Sequence, residues 1–241
     1  MDIMTNNLAN ASTVGYKKEG STSQSFDDVL TVKIKDQSVG MRNVQRIGIK
    51  NPGVKIGENY TDYSQGSFRI TDNTYDLALS GEGFFAIEFT NKAGETDTKY
   101  TRAGQFTLNK EGYLVTEEGD YVLDTQNRRI RLNTLLDSKI TDDGTIYQND
   151  RAVAKIQVTD FEDYNYLEKY GETYYQPIQG AKTTAADAQV KSGYLEMANV
   201  QVVSEMVNLI SITRAYESNQ KVVQTIDGTL DVAANQIGKL Q

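Results

Sequence analysis

From Leu209 towards the C-terminus, apolar or small residues recur at Leu209, Ile212, Tyr216, Asn219, Val223, Ile226, Leu230, Ala233, Ile237 and Leu240, in alternating steps of three and four. This is a heptad seam with one polar interruption, Asn219. Val200, Val203, Val207 and Ile210 extend the apolar character upstream on a slightly rotated stripe. With Asn199 as N-cap, the pattern predicts a helix over 199–239, about 60 Å long at 1.5 Å per residue. Gly228 inside it costs roughly 1 kcal/mol relative to Ala. Two readings follow: a long helix laid on the rest of the chain, or a coiled-coil or inter-subunit packing helix. The second suits Asn219, because a polar seam residue sets register.

The N-terminal pattern is weaker. Ile3, Leu8 and Ala11 line one face of a short helix that Ser12-Thr13-Val14-Gly15 ends. It is too short to be stable alone. A second apolar patch at Phe26, Val29 and Leu30 follows Asp27 and Asp28 as candidate first-turn residues. Between the ends, the period shortens. Gly83-Phe84-Phe85-Ala86-Ile87-Glu88-Phe89 predicts an aromatic-rich strand, and Gln105-Phe106-Thr107-Leu108 alternates before a turn at Asn109-Lys110-Glu111-Gly112. Gly119-Asp120, between Tyr113-Leu114-Val115 and Tyr121-Val122-Leu123, predicts a type II′-like hairpin, and Asp143-Gly144 one of type I′. Ala152, Ala154, Ile156 and Val158 predict one half-buried strand. Residues 181–190, small and polar, read as an exit linker.

The expected fold is therefore mixed β and α. An antiparallel β-rich central domain (33–190) lies between an N-terminal helical segment (1–32) and a C-terminal long helix (191–241). The two ends together are expected to form a coiled-coil-like terminal region.

Composition narrows the function. The 241 residues can bury a full core. A net charge of −8, with no basic run longer than Arg128-Arg129, argues against nucleic-acid binding. His and Cys are both absent, which excludes Ser-His-Asp and Cys-His nucleophile systems and Cys/His zinc sites. No apolar run reaches the roughly 18–20 residues of a membrane span, and the first residues lack the pattern of a cleaved secretory signal. Asp142-Asp143-Gly144 with Asp150 lacks calcium-loop spacing. The adjacent acids Glu117-Glu118 and Asp27-Asp28 suit solvated turns better than glycosidase carboxylates opposed across a cleft. Gly81-Glu82-Gly83 lacks the third glycine and the helix of a dinucleotide site. No catalytic residue, metal site or cofactor is expected.

Four motifs in order then carry a resemblance. They are Asn6-Asn7-Leu8-Ala9-Asn10-Ala11-Ser12-Thr13-Val14-Gly15-Tyr16-Lys17; Gln65-Gly66-Ser67-Phe68 leading to Leu77-Ala78-Leu79 and Gly81-Glu82-Gly83-Phe84-Phe85; Tyr100-Thr101-Arg102-Ala103-Gly104-Gln105-Phe106 with Gly112-Tyr113-Leu114-Val115; and Gly193-Tyr194-Leu195-Glu196, Asn199-Val200, Glu205-Met206-Val207 and Arg214-Ala215-Tyr216-Glu217. Together they resemble the flagellar basal-body rod and hook axial proteins along essentially the whole chain. The fit is better to the rod branch, distal and proximal, than to the hook branch with its larger central insertions.

The resemblance implies a non-enzymatic subunit, exported from the cytoplasm by the flagellar type III apparatus and assembled into a helical tube in the basal body. Its implied partners are copies of itself, other rod and hook axial proteins and the export apparatus, with no nucleic acid and no membrane insertion. The implied subunit-interface residues are Asn6, Asn7, Leu8, Asn10, Thr13, Gly15 and Tyr16, together with the seam residues Leu209, Ile212, Tyr216, Asn219, Val223, Ile226, Leu230, Ile237 and Leu240. A hook-type subunit and a secreted binding module or adhesin are the alternatives. Family members carry several more helical turns before the Asn-Asn-Leu-Ala-Asn motif, so the chain reads as shortened. The seam is accordingly expected to lack a full partner within one molecule.

Overall fold

The computed structural model describes residues 1–34, 44–91 and 94–237, without the side chains of 30–34, 44–47, 236 and 237. Leu240 therefore lies outside the described residues, as does the side chain of Ile237. The chain divides into two compact units, Glu19–Asp62 and the remainder.

The larger unit is a strand-rich body with helix α1 (Asp2–Ala9) at one end of the chain and helix α2 (Val202–Val232) at the other. All strand pairs among the described residues are antiparallel. The largest sheet runs in the order Leu167–Tyr170, Tyr174–Pro177, Thr96–Thr101, Phe84–Thr90, Tyr121–Val122, Leu114–Thr116, Phe106–Leu108. Val158–Phe161 also pairs with the Phe84–Thr90 strand and carries Thr183–Ala185 on its other side.

Phe84 and Phe85 explain why this strand is central. Successive side chains in a strand point to opposite faces. Phe85 enters a core with Leu77, Leu79, Phe106, Leu114 and Ile146. Phe84 enters a second core with Tyr100, Leu123, Phe161 and Tyr175. Both rings are fully buried. The tyrosines contribute ring edges, as between Phe84 and Tyr164 at 5.8 Å.

The turns differ from expectation. At Thr116–Asp120 and Thr141–Thr145 a three-residue loop closes with two backbone bonds, the third loop residue (Gly119, Gly144) taking positive φ. That is a type I turn with a G1 bulge, not II′ or I′. The same loop recurs at Asn109–Tyr113 and Asp124–Arg128, where Asn109 and Asp124 side chains cap the turn amides. The type I′ turn lies instead at Asn149-Asp150, with φ of 50° and 61°, between paired Gln148 and Arg151.

Three further corrections concern elements. Residues 181–190 are not a linker: Thr183–Ala185 is a strand, and Ala188–Ser192 pairs with Leu77–Gly81. The strand expected through Ala152 and Val158 is two strands, Arg151–Lys155 and Val158–Phe161, divided at buried Ile156. The first is almost wholly exposed. At the chain start, only Asp2–Ala9 is helical. Asp27 and Asp28 precede a strand, not a helix, because the smaller unit consists of two strand pairs: Glu19–Ser25 with Val54–Thr61, and Val29–Ile34 with Val44–Lys50.

Helix α2 begins later than expected and passes into a π turn, Ala233–Ile237. Gln201, not Asn199, is its N-cap, with no side-chain cap bond. The Asn199 side chain is engaged elsewhere.

Candidate assembly interface

The heptad periodicity forms a helix whose apolar edge is uncovered. Ile212, Tyr216, Val223, Ile226 and Leu230 are all exposed, from 37% at Ile212 to 67% at Tyr216. Asn219 is also exposed, and Leu209 is half-buried. Val203, Val207 and Ile210 add exposed apolar surface near the helix base. Among the described residues of the larger unit, this stretch of the helix is not laid on the body. Helix α2 meets the body at its base, among the described residues of the larger unit. There α1 lies beside α2, Glu205 is buried, and Leu209 and Thr213 are half-buried at the same four-residue spacing.

The N-terminal motif behaves differently. Asn7, Gly15 and Tyr16 are buried within the chain. The Tyr16 hydroxyl donates to Asn7 Oδ1 at 3.0 Å. The Gly15 N–H donates to the Glu196 carbonyl at 2.8 Å, and Val14 bridges to Met197. These residues tie the chain's two ends to the body. Asn6, Leu8, Asn10 and Thr13 remain half-exposed. Asn10 donates to Asn6 Oδ1 (2.8 Å) and Glu172 Oε2 (2.9 Å), and its own Oδ1 accepts from the Thr13 hydroxyl at 3.1 Å.

At the centre of this junction is Glu196, fully buried. Lys17 Nζ stands 2.7 Å from its Oε1 and Arg102 Nη1 3.4 Å from its Oε2. The Gly66 N–H donates to Oε1 at 2.9 Å, and Lys17 also donates to the Ser64 carbonyl at 2.8 Å. Two cations and an amide compensate one buried carboxylate, which is what its burial requires. Close backbone approach makes the glycines necessary. A Cβ on Gly15 would meet the Ala103 backbone nitrogen, one on Gly66 the Met197 carbonyl, and one on Gly104 the Leu77 carbonyl.

Lys18 continues the junction towards α2. Its Nζ lies 2.6 Å from Glu205 Oε1, and its N–H donates to Asn199 Oδ1 at 2.7 Å. Asn199 Nδ2 in turn donates to the Ser64 carbonyl and hydroxyl at 3.1 and 3.0 Å. Sequence reasoning quoted Glu196, Glu205, Arg102 and Lys17 as motif residues without giving them a role, and gave Asn199 only that of an N-cap. No local signal marked them, because their partners lie far apart along the chain.

A second polar group lies in the sheet. The Tyr174 hydroxyl is 2.9 Å from both Glu118 Oε2 and Asp120 Oδ2. Burial pushes the Tyr174 phenol and the Asp120 carboxyl upward, the latter against the Tyr174 hydrogen bond. Burial likewise lowers the Lys99 ammonium, which sits over the Phe89 ring at 4.1 Å. On the surface, Arg129 grips Glu88 with both Nε (3.0 Å) and Nη2 (2.5 Å).

The fold and junction define a class: a β-rich body that holds both chain ends together and projects one of them as a helix with an uncovered apolar edge. Comparison with known proteins then specifies it. Residues 1–17 match the family described as flagella basal body rod protein, 78–148 the flagellar hook protein FlgE/F/G D1 domain, and 191–237 the flagellar basal body rod FlgEFG protein C-terminal family. The chain is 34% identical to the flagellar basal-body rod protein FlgF of Caulobacter vibrioides, over 100% of this chain and 91% of the relative. It is 32% identical to FlgG of Bacillus subtilis (98% and 92%) and 33% identical to FlgG of Caulobacter vibrioides (97% and 92%). The chain belongs to the flagellar basal-body rod protein family.

Proposed function

We propose that the chain is a structural subunit of the flagellar rod, in the basal body, and that it assembles with copies of itself and other axial proteins through the seam on α2. The observation that carries the assembly mode is the open apolar edge from Ile212 to Leu230. Scattered exposed apolar residues are ordinary, but a continuous line at heptad spacing invites a second helix. Heterologous contacts that do not close on themselves would build a tube from such subunits. Delivery by the flagellar type III apparatus belongs to the same reading, as does a role without catalysis. Among the described residues no helix is long and apolar enough to cross a membrane.

The test is electron microscopy of concentrated purified chain, paired with swimming of a strain lacking its gene. The expected results are filamentous polymer, and loss of motility that re-expression restores. A chain that stays monomeric at every concentration, in a strain that swims normally without it, would overturn the reading. A hook-type role has one observation in its favour, since the family matching 78–148 is described from hook as well as rod proteins. Finding which axial segment is lost from the deletion strain separates the two.

A further inference from the structure

We propose that Glu205 and Lys18 are positioning residues that set the direction in which α2 leaves the body. This inference rests on the assembly reading above, because direction matters only if the helix must meet a neighbour.

Among the described residues of the larger unit, the helix is anchored at its base alone. Every residue from Arg214 to Asn235 is exposed, and Glu205 is the one residue of α2 that is buried. That position would ordinarily take an apolar side chain. A leucine there would bury area without fixing an angle, since apolar contact is non-directional. A buried carboxylate needs its cation at close range, and Lys18 Nζ stands 2.6 Å from Glu205 Oε1, an ion pair without hydrogen-bond geometry.

Lys18 is itself held through its backbone. Its neighbour Lys17 is fixed in the body by Glu196 and Ser64. Its own N–H binds Asn199, which binds Ser64. Residues 17–18, Ser64, Asn199 and Glu205 thus form a closed ring of contacts around the non-helical stretch that precedes α2. Without the Lys18–Glu205 link, the base of the helix keeps only its contact with α1, through half-buried Leu209 and Thr213, and the Asn199 bonds.

Geometry shows how much a swivel would cost. From Glu205 to Val232 the helix runs about 40 Å at 1.5 Å per residue. A tilt of roughly 10° at the base moves the far end by about 7 Å, more than the 5.4 Å rise of one turn. A heptad seam displaced that far loses its register with a partner. The two side chains therefore bear on assembly through the helix, without touching the partner.

The chain contains no cysteine, so paired spin labels can be placed freely. With labels at the exposed positions Thr107→Cys on the body and Gln224→Cys on α2, double electron–electron resonance on the monomer should give one narrow distance distribution. Glu205→Gln should broaden it at least about twofold. Lys18→Gln, at a partly exposed position and so gentler on folding, should do the same. The charge swap Lys18→Glu/Glu205→Lys should narrow it again, which a mere packing role for position 205 would not predict. Polymer yield should fall about tenfold in each single variant and recover in the swap.

A wild-type distribution in both single variants, or a swap no better than the singles, would overturn the proposal. If the parent chain forms no polymer under any condition, the assembly reading fails, and the distance measurements still decide whether the pair sets the helix direction.

Discussion

Glu196 sits where an unpaired carboxylate could not remain, and its surroundings are built around its charge. Exposed ion pairs contribute about 0–1 kcal/mol. Breaking a buried one costs roughly 3–5 kcal/mol, because the remaining charge stays desolvated. Glu196→Gln would leave two cations, Lys17 and Arg102, facing a neutral amide. A loss of about 3 kcal/mol or more is expected from urea unfolding, with an unchanged slope; a loss below about 1 kcal/mol would refute an electrostatic junction. Gly15 makes the complementary point about space. Its φ is +70° and a Cβ would strike Ala103, whereas Gly119, at φ +99°, has open space around it. Ala at either position carries the left-handed backbone penalty, about 1–3 kcal/mol. Gly15→Ala should lower the melting temperature well beyond Gly119→Ala, and equal effects would mean the close approach is readily relieved.

At the scale of elements, the hairpin around Asp143 has a measurable pH signature. The hydroxyls of Thr141 and Thr145 donate to its carboxylate and hold its pKa at about 2. The unfolded value is near 3.9. A pKa lowered by folding contributes stability that is present above about pH 4 and lost as pH falls through about 2. A carboxyl-detected NMR titration should find this midpoint, and Thr141→Val with Thr145→Val should return it towards 3.9. A midpoint unmoved by both would place the cause elsewhere.

The same hairpin shows what the sequence made legible. Asp-Gly announced a turn correctly, but the turn type depends on how many residues separate the paired strands, and the two-residue loop is made by Asn149-Asp150. The seam was legible because its period survives over many turns. Strands Thr183–Ala185 and Ala188–Ser192 were not, since small polar residues pair through their backbones and leave no apolar period. The ribbon of Glu19–Ser25 was hidden for the same reason, being rich in Ser and Thr. The junction was invisible in its geometry though not in its residues. Lys17 and Glu196 stand 179 positions apart, and no local pattern encodes such a pairing.

For the molecule as a whole, the contrast between a packed body and an uncovered helix should appear in its dynamics. Strand Phe84–Thr90 is paired on both sides and lies between two cores. Its amides exchange only when the body opens, so protection factors above about 10⁴ are expected for a domain of ordinary stability. Helix α2 has no such cover beyond Thr213. Uncovered, the helix has only its own backbone bonds to slow exchange, since most helical stability in proteins comes from burying an apolar face. In monomeric chain, amides of 214–232 should therefore exchange with protection below about 10². When polymer forms, the seam is buried and the same peptides should rise towards the protection of the strands, while strand peptides change little. Ile226→Asp provides the control. At an exposed site it should alter monomer stability by no more than about 0.5 kcal/mol, yet it places a charge in the seam and should abolish both polymer and the gain in protection. Strong protection across 214–232 in strictly monomeric chain would show that the helix is stable without a neighbour. An Ile226→Asp chain that polymerises normally would show that the neighbour binds elsewhere.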